Sequence, residues 1–389
     1  MMALFAHGFR PFFLMAALVA PAAIGVWVLT LAGFALPEGP LPPMRWHAHE
    51  ALGGFVAAAM IGFLMTAIPN WTGRRGYSGA PLVVLATLFL AARFAMLPGS
   101  PVPIEIAALF ALAPLPATLL LVLPALLKAK APRLFGPPAL VLVFWSGQVM
   151  MLAEEAGWWT SPGWAVGQLL MADMALLLVV LIGGRIVPSF TLNALRKTRW
   201  PAEAQPLPGV DRAAILAVAA VAVVDLAAPG SLPAGLVAAI AAVLVALRLS
   251  RWHGLRTLRW PILWVLHLAY ALIPVALAVK AVSLLSEAPW ASAWLHLQMA
   301  GAVSLMIVAV MTRATLGHTG NALVAAPAAV AAYVLLLAAA LLRVFSSVAG
   351  VDALTVLIVA ALCWVTAFLL ILMVYAPMLL GPRADGKPG

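Results

Sequence analysis

The sequence predicts an all-α, polytopic membrane protein of twelve transmembrane helices, and three observations carry that prediction. First, 65% of the 389 residues are hydrophobic and 9% are charged, a balance that no soluble core of this size needs or can cover with polar surface. Second, the apolar residues fall into runs of about 17–25, long enough for an α-helix to cross a hydrocarbon layer of roughly 30 Å with its own backbone hydrogen bonds made. Third, basic residues gather in alternate connections between the runs.

The runs lie, in order, near residues 11–36, 47–69, 80–97, 103–127, 137–156, 164–188, 212–228, 232–250, 260–285, 290–313, 323–345 and 351–380. The first opens on "GFRPFF" and has no small-residue cleavage site at its tail, so it is expected to stay as helix 1 rather than be removed as a signal. The second follows "WHAHE" and is ended by "IPNWTGRRG"; the sixth is ended by "GGRIVPSFTLN". The seventh and eighth are short and alanine-rich. Before the seventh stands the longest polar stretch, residues 193–212, read as a proline-containing loop. Alternate connections hold Arg74, Arg75, Lys128, Lys130, Arg133, Arg196, Lys197, Arg199, Arg248, Arg251, Arg256 and Arg259, which places both termini in the cytoplasm by the positive-inside rule. The formal charge of +10 is therefore a topology signal. It is no nucleic-acid footprint, because the basic residues sit in short turns without aromatic interleaving.

A single transmembrane domain over residues 1–389 is expected, with repeat units centred on helices 2, 6 and 10. Residues 167–193 align without gaps on 295–321, so that Arg185 meets Arg313, Thr191 meets Thr319, Asn193 meets Asn321 and Gln168 meets His296. In the same frame His49 falls on Gln168 and His296, and Thr72 falls on Thr191 and Thr319. Helices four apart that look alike imply three four-helix units. Cys363 is the only cysteine, which excludes disulfides, iron–sulfur clusters and thiolate zinc sites within one chain.

Ionisable residues inside a membrane are costly enough to be functional candidates by default. His47, His49, Glu50 and His296 lie near the outer ends of helices 2 and 10, and His267 and His318 lie deeper or on the other side. His7 and His253 read as solvated or interfacial. Neutral imidazole ligates copper, zinc and haem iron alike. In a helix, residues i and i+2 point about 200° apart, so His47 and His49 do not chelate one metal unless the stretch unwinds. Glu50 shares a face with His47 by i, i+3 spacing, which divides the motif between two neighbouring sites. A haem held by His49 or His47 together with His296 fits a bundle interior. The competing reading is an interfacial aromatic belt around Trp46. Arg10, Arg185 and Arg313 read either as snorkelling side chains or as partners for an anionic group such as a haem propionate. Asp173, a lone acid in helix 6, reads with Glu50 as a proton relay or else as one helix–helix hydrogen bond.

The same stretches carry a family resemblance. "GFRPFFL" (8–14), "WHAHE" with "GFVAAAMIGFLMTAIPNWTG" (54–73), "GGRIVPSFTLN" (183–193), "PILWVLHLAYALIP" (261–274) and "VMTRATLGHTG" (310–320) resemble the NnrS family of bacterial membrane proteins. The chain departs from the family pattern at Ala51, usually methionine, and at Asn321, usually arginine. The resemblance implies a twelve-helix inner-membrane protein with haem and copper, linked to denitrification and nitric oxide. It carries a ligand role onto His47, His49, His267, His296 and His318, with Glu50 adjacent. Haem-copper oxidases are similar in outline, with three four-helix arcs and haem ligands on the second and tenth helices, although no histidine stands in helix 6 here.

The function expected from the residues and the resemblance together is reduction of nitric oxide to nitrous oxide, with Glu50 and Asp173 as the proton-handling groups. The expected cofactors are haem b and copper, or another second metal such as non-haem iron. Nitric oxide, a quinol or other membrane electron donor, the lipid bilayer and, as a homodimer, a second copy of the chain are the expected partners, with no nucleic acid. Two alternatives stand beside this reading: a non-catalytic protein that binds or senses nitric oxide, haem or copper, and a secondary transporter.

Overall fold

A computed structural model of the chain describes residues 3–199, 207–286, 288–348 and 350–387. It is 80% helical and, among the described residues, has no strand. Twelve long helices follow one another: α1 Phe9–Leu31, α2 Pro43–Thr72, α3 Ala80–Ala95, α4 Ile104–Ala129, α5 Pro132–Glu155, α6 Gly163–Leu195, α7 Pro208–Ala227, α8 Leu232–Ser250, α9 Pro261–Ser286, α10 Pro289–His318, α11 Pro327–Phe345 and α12 Ala353–Leu380. They coincide with the twelve apolar runs. Ten are long and apolar enough to cross a membrane; α3 has only 16 residues, and α7 carries Asp211, Arg212 and Asp225. Of the expected loop 193–212, residues 200–206 lie outside the described residues.

Proline and glycine punctuate the chain as their backbones require. Proline opens α2, α7, α9, α10 and α11, where its missing N–H has no helical partner to lose. Glycine in the left-handed region ends α2 and α10: Gly73 has φ 66° and Gly320 has φ 76°. At both ends the next amide reaches back five residues, Arg74 N–H to the Pro69 carbonyl and Asn321 N–H to that of Leu316, each at 2.9 Å.

Helices α2 and α10 share more than their caps. Each switches from α to π hydrogen bonding immediately after a histidine, over Glu50–Val56 following His49 and over Leu297–Val303 following His296. One offset of 247 residues (49 to 296) relates the histidines, the π segments, Thr72 with Thr319, and the two glycine caps. Helix α6 is α-helical throughout and runs on to Leu195.

The chain divides into two compact units: Met1–Met171, Ala314–Ala322 and Phe368–Gly389 form the first, and Ala172–Arg313 with Leu323–Ala367 form the second. Within unit 1, small residues bring helices together, as membrane packing without a hydrophobic driving force requires. A Cβ on Gly167 of α6 would collide with the Gly147 carbonyl of α5, and one on Gly147 would lie 2.7 Å from the Gly167 carbonyl. Leu18, Val84, Phe94, Leu120, Leu216 and Leu362 turn outward on their helices, as lipid-facing side chains do.

Candidate functional site

In unit 1 the π segment of α2 builds a buried polar chain out of four residues. His49 is 0% exposed, Gln148 of α5 1%, Glu50 4% and Arg93 of α3 8%. Arg93 donates through Nη1 to Glu50 Oε1 at 2.6 Å, and the same oxygen lies 3.0 Å from His49 Nδ1. On the far side of the ring, Gln148 Nε2 lies 3.2 Å from His49 Nε2 and donates to the Ala111 carbonyl at 3.2 Å. The network assigns the tautomer: a carboxylate bound by Arg93 accepts from Nδ1–H, and the Gln148 amide donates to Nε2. His49 therefore presents a lone pair at Nε2 while a carboxylate fixes its other nitrogen, the arrangement that orients metal-ligating imidazoles.

The expectation that Glu50 shares a face with His47 is not met. The Glu50 backbone keeps its α-type bond to the Trp46 carbonyl, but its side chain pairs with Arg93 and turns to the His49 ring. His47 instead stacks on Trp27, with ring centroids 5.0 Å apart and planes at 15°. Trp46, the centre of the expected aromatic belt, is buried within the protein at 5% exposure.

His49 has the donor chemistry of an axial haem ligand, an imidazole whose Nδ1 is fixed by a carboxylate, and Gln148 would have to leave Nε2 for an iron to reach it. Gly53 and Gly54 let these side chains close onto the helix: a Cβ on Gly53 would lie 2.7 Å from Gln148 Nε2 and 3.1 Å from His49 Nε2, and one on Gly54 would lie 3.0 Å from both Arg93 Nη1 and Glu50 Oε2. Arg93 Nε and Nη2 are buried donors without an acceptor among the described residues, which suits a carboxylate such as a propionate. A copper centre with several protein ligands does not fit in the same way. Among the described residues no three His, Cys, Asp or Glu side chains are grouped to hold a metal ion.

The other expected residues lie apart from this chain of contacts. His318, at the end of α10, packs on Phe9 with centroids 5.3 Å apart, and its carbonyl accepts from Arg383 at 2.6 Å. His7 packs against the other neighbour of this corner, Phe9; burial first, then the charges of Arg10, His318 and Arg383, hold its pKa below 6.5. Beyond Gly320, the Ala384 amide donates to the Thr319 carbonyl at 2.8 Å, and Asp385, lowered to about 2 by Arg383, folds over the glycine. Arg10 is fully buried and gives Nη1 to the carbonyls of Leu379 and Gly381 at 3.0 and 2.7 Å, so it caps the C-terminus of α12 and does not snorkel.

In unit 2, His267 accepts no metal-like cage. Thr191 gives its hydroxyl proton to the Val187 carbonyl and accepts from His267 Nε2 at 2.8 Å, leaving Nδ1 without a partner against Gly254. His296 ends the short α-helical stretch Trp294–His296 within α10, directly before the π segment. Arg313 lies over the Phe190 ring at 3.9 Å, and Arg185 is exposed. Asp173 is buried among Asp225, Lys280 and Gln298.

Five residues of these clusters escape the sequence reading: Arg93, Gln148, Asp225, Lys280 and Gln298. Arg93, Asp225 and Lys280 carried a visible signal, since each is a charged residue inside an apolar run. The two glutamines carried none beyond their polarity.

Fold and site together define a multi-pass helical membrane protein with a buried imidazole oriented by a carboxylate at Nδ1 and covered by the Gln148 amide at Nε2. A family profile described as NnrS protein matches residues 3–383, and the chain belongs to the NnrS family. No curated protein matches it.

Proposed function

We propose that this chain is a haem-containing oxidoreductase of the bacterial cytoplasmic membrane, with both termini on the cytoplasmic side, that reduces nitric oxide. Two molecules of nitric oxide take up two electrons and two protons and leave as one nitrous oxide and one water. The observation that supports this most is the Arg93–Glu50–His49 chain, which leaves Nε2 as the ligating nitrogen. A haem bound there would supply one-electron chemistry and a binding position for a neutral diatomic gas. Glu50 holds the imidazole through Nδ1 and keeps Arg93 beside it; Arg93 offers Nε and Nη2 to an anionic group. Gln148 covers Nε2 and gives way when that nitrogen is ligated. His296 is proposed as a further ligating imidazole, on the strength of its place before the π segment of α10. The acids proposed to handle protons are Glu50 and Asp173. The electrons come from a quinol, a two-electron donor carried by the membrane.

A second reading, a protein that binds nitric oxide or haem without turnover, is favoured by the lack of a three-donor metal group among the described residues. One experiment separates the two. The protein is purified, its haem and metals are quantified, and nitric oxide is followed with a quinol present. Continuous consumption with nitrous oxide formed at half the rate supports the reductase. Stoichiometric uptake that stops supports the binding protein. His296→Ala is expected to turn the principal haem high-spin, and an unchanged optical spectrum excludes His296 as its ligand.

A further inference from the structure

Unit 2 buries four polar side chains, from four helices, at one place. Lys280 of α9 is 0% exposed and is ion-paired with Asp225 of α7, itself 3% exposed. Its ammonium lies 4.4 Å from the Trp294 ring of α10. Asp173 of α6 is 2% exposed and lies close to Asp225, Lys280 and Gln298, and among the described residues neither of its carboxyl oxygens has a hydrogen-bond partner of ordinary geometry. Gln298 donates to the Ala172 carbonyl at 3.3 Å, while its Oε1, fully buried, has no donor. Gln298 belongs to the π segment of α10, an irregularity that turns side chains out of α register and recurs at functional sites.

Charge and hydrogen bonding point to the same missing particle. Two carboxylates and one ammonium leave one negative charge in excess, and Asp225 is committed to Lys280, so the excess falls on Asp173. A desolvated carboxylate with no donor is costly. One proton on Asp173 makes the cluster neutral, gives the carboxyl an O–H, and supplies the donor that Gln298 Oε1 lacks. A metal cation suits the place less well, because Lys280 already supplies the cationic partner of Asp225. The charged groups that face Asp173 are Asp225 from α7 and Lys280 from α9; α10 contributes the uncharged Gln298.

We propose that Asp173, Asp225, Lys280 and Gln298 form a proton-binding site within the membrane-spanning part of the chain, with Asp173 holding one exchangeable proton. This deepens the role given to Asp173 in the proposed function, but the site binds its proton whether or not the protein reduces nitric oxide: failure here removes Asp173 from that role and leaves the nitric oxide reading to its own assay.

The test is infrared spectroscopy of the full-length protein in lipid, with its aspartate carboxyls labelled with carbon-13. Of the five aspartates, only Asp173 and Asp225 are buried. The expected result is the stretch of one protonated aspartic acid per chain at neutral pH, sensitive to deuterium oxide. Asp173→Asn, which mimics the neutral acid, removes it. Lys280→Met, which leaves two carboxylates without an ammonium, doubles it. Absence of any label-sensitive protonated-carboxyl band in the native protein overturns the proposal without recourse to a variant. So does a band that Asp173→Asn leaves intact, or one that disappears when sodium replaces choline in the buffer, which would make the place a cation site.

Discussion

Removing the Asp225 carboxylate tests how the buried charges of unit 2 depend on one another. Asp225→Asn deprives the Lys280 ammonium of its partner at a place where lysine and partner are 0% and 3% exposed. Breaking a buried pair from one side costs about 3–5 kcal/mol, because a desolvated charge is left uncompensated. Asp173, however, stands beside the same ammonium and can release its proton to take over as counter-ion. Asp225→Asn alone is therefore expected to cost less than that range, and Asp173→Asn alone little, since the amide resembles the neutral acid. The double variant loses both carboxylates and is expected to reach about 3–5 kcal/mol, with the shortfall of the singles appearing as coupling between the two positions. Reversible unfolding in mixed detergent micelles, measured for the four proteins of the cycle, gives these quantities. If Asp225→Asn alone costs as much as the double variant, Asp173 does not stand in for Asp225, and the reasoning fails.

Two further outcomes concern packing and the C-terminal tail. Gly167→Ala places a methyl group against the Gly147 carbonyl and is expected to destabilise the α5–α6 contact by about 1–3 kcal/mol, read as a lower thermal midpoint; an unchanged midpoint would mean the helices approach less closely. Gly320→Ala forces alanine to φ 76° and puts its Cβ 2.5 Å from Asp385 Cγ, so the tail should detach and protease should cleave after Arg383 faster than in the native protein. Because Arg383 lowers Asp385 to about 2, the tail contact draws on an ionised carboxylate above the unfolded value near 3.8 and loses that support only as the pH falls through about 2. Protection of the Ala384 amide from hydrogen exchange should therefore be flat from pH 7 down to about 4.

The helices were legible in the sequence because membrane physics makes them so. A run such as 47–69 has no other way to satisfy its backbone in lipid, and it appears as α2. The likeness of His49 to His296 was legible too, as an alignment. What the alignment did not carry was the π register that follows each histidine, since nothing in "EALGGFV" or "LQMAGAV" distinguishes a π turn from an α turn by residue type. Nor did it carry the pairing of the Glu50 side chain with Arg93, which joins Glu50 to His49 and reverses a conclusion drawn from ideal helical spacing. Partnership across helices was the other hidden quantity. Arg93, Asp225 and Lys280 stand in plain sight as charges inside apolar runs, but which carboxylate each one meets is set by tertiary packing. Arg10 shows the same limit, for its acceptors lie at the far end of the chain, 369 residues away for Leu379.

The central claim is that His49 Nε2 is a haem-ligating nitrogen held in place by Glu50. Its most direct test replaces the imidazole and returns it as a free molecule. In His49→Gly the principal haem should be lost or turned high-spin, and added imidazole should restore the native optical and electron paramagnetic resonance spectra. A His49→Gly protein that keeps the native haem content and spectrum without added imidazole would contradict the account.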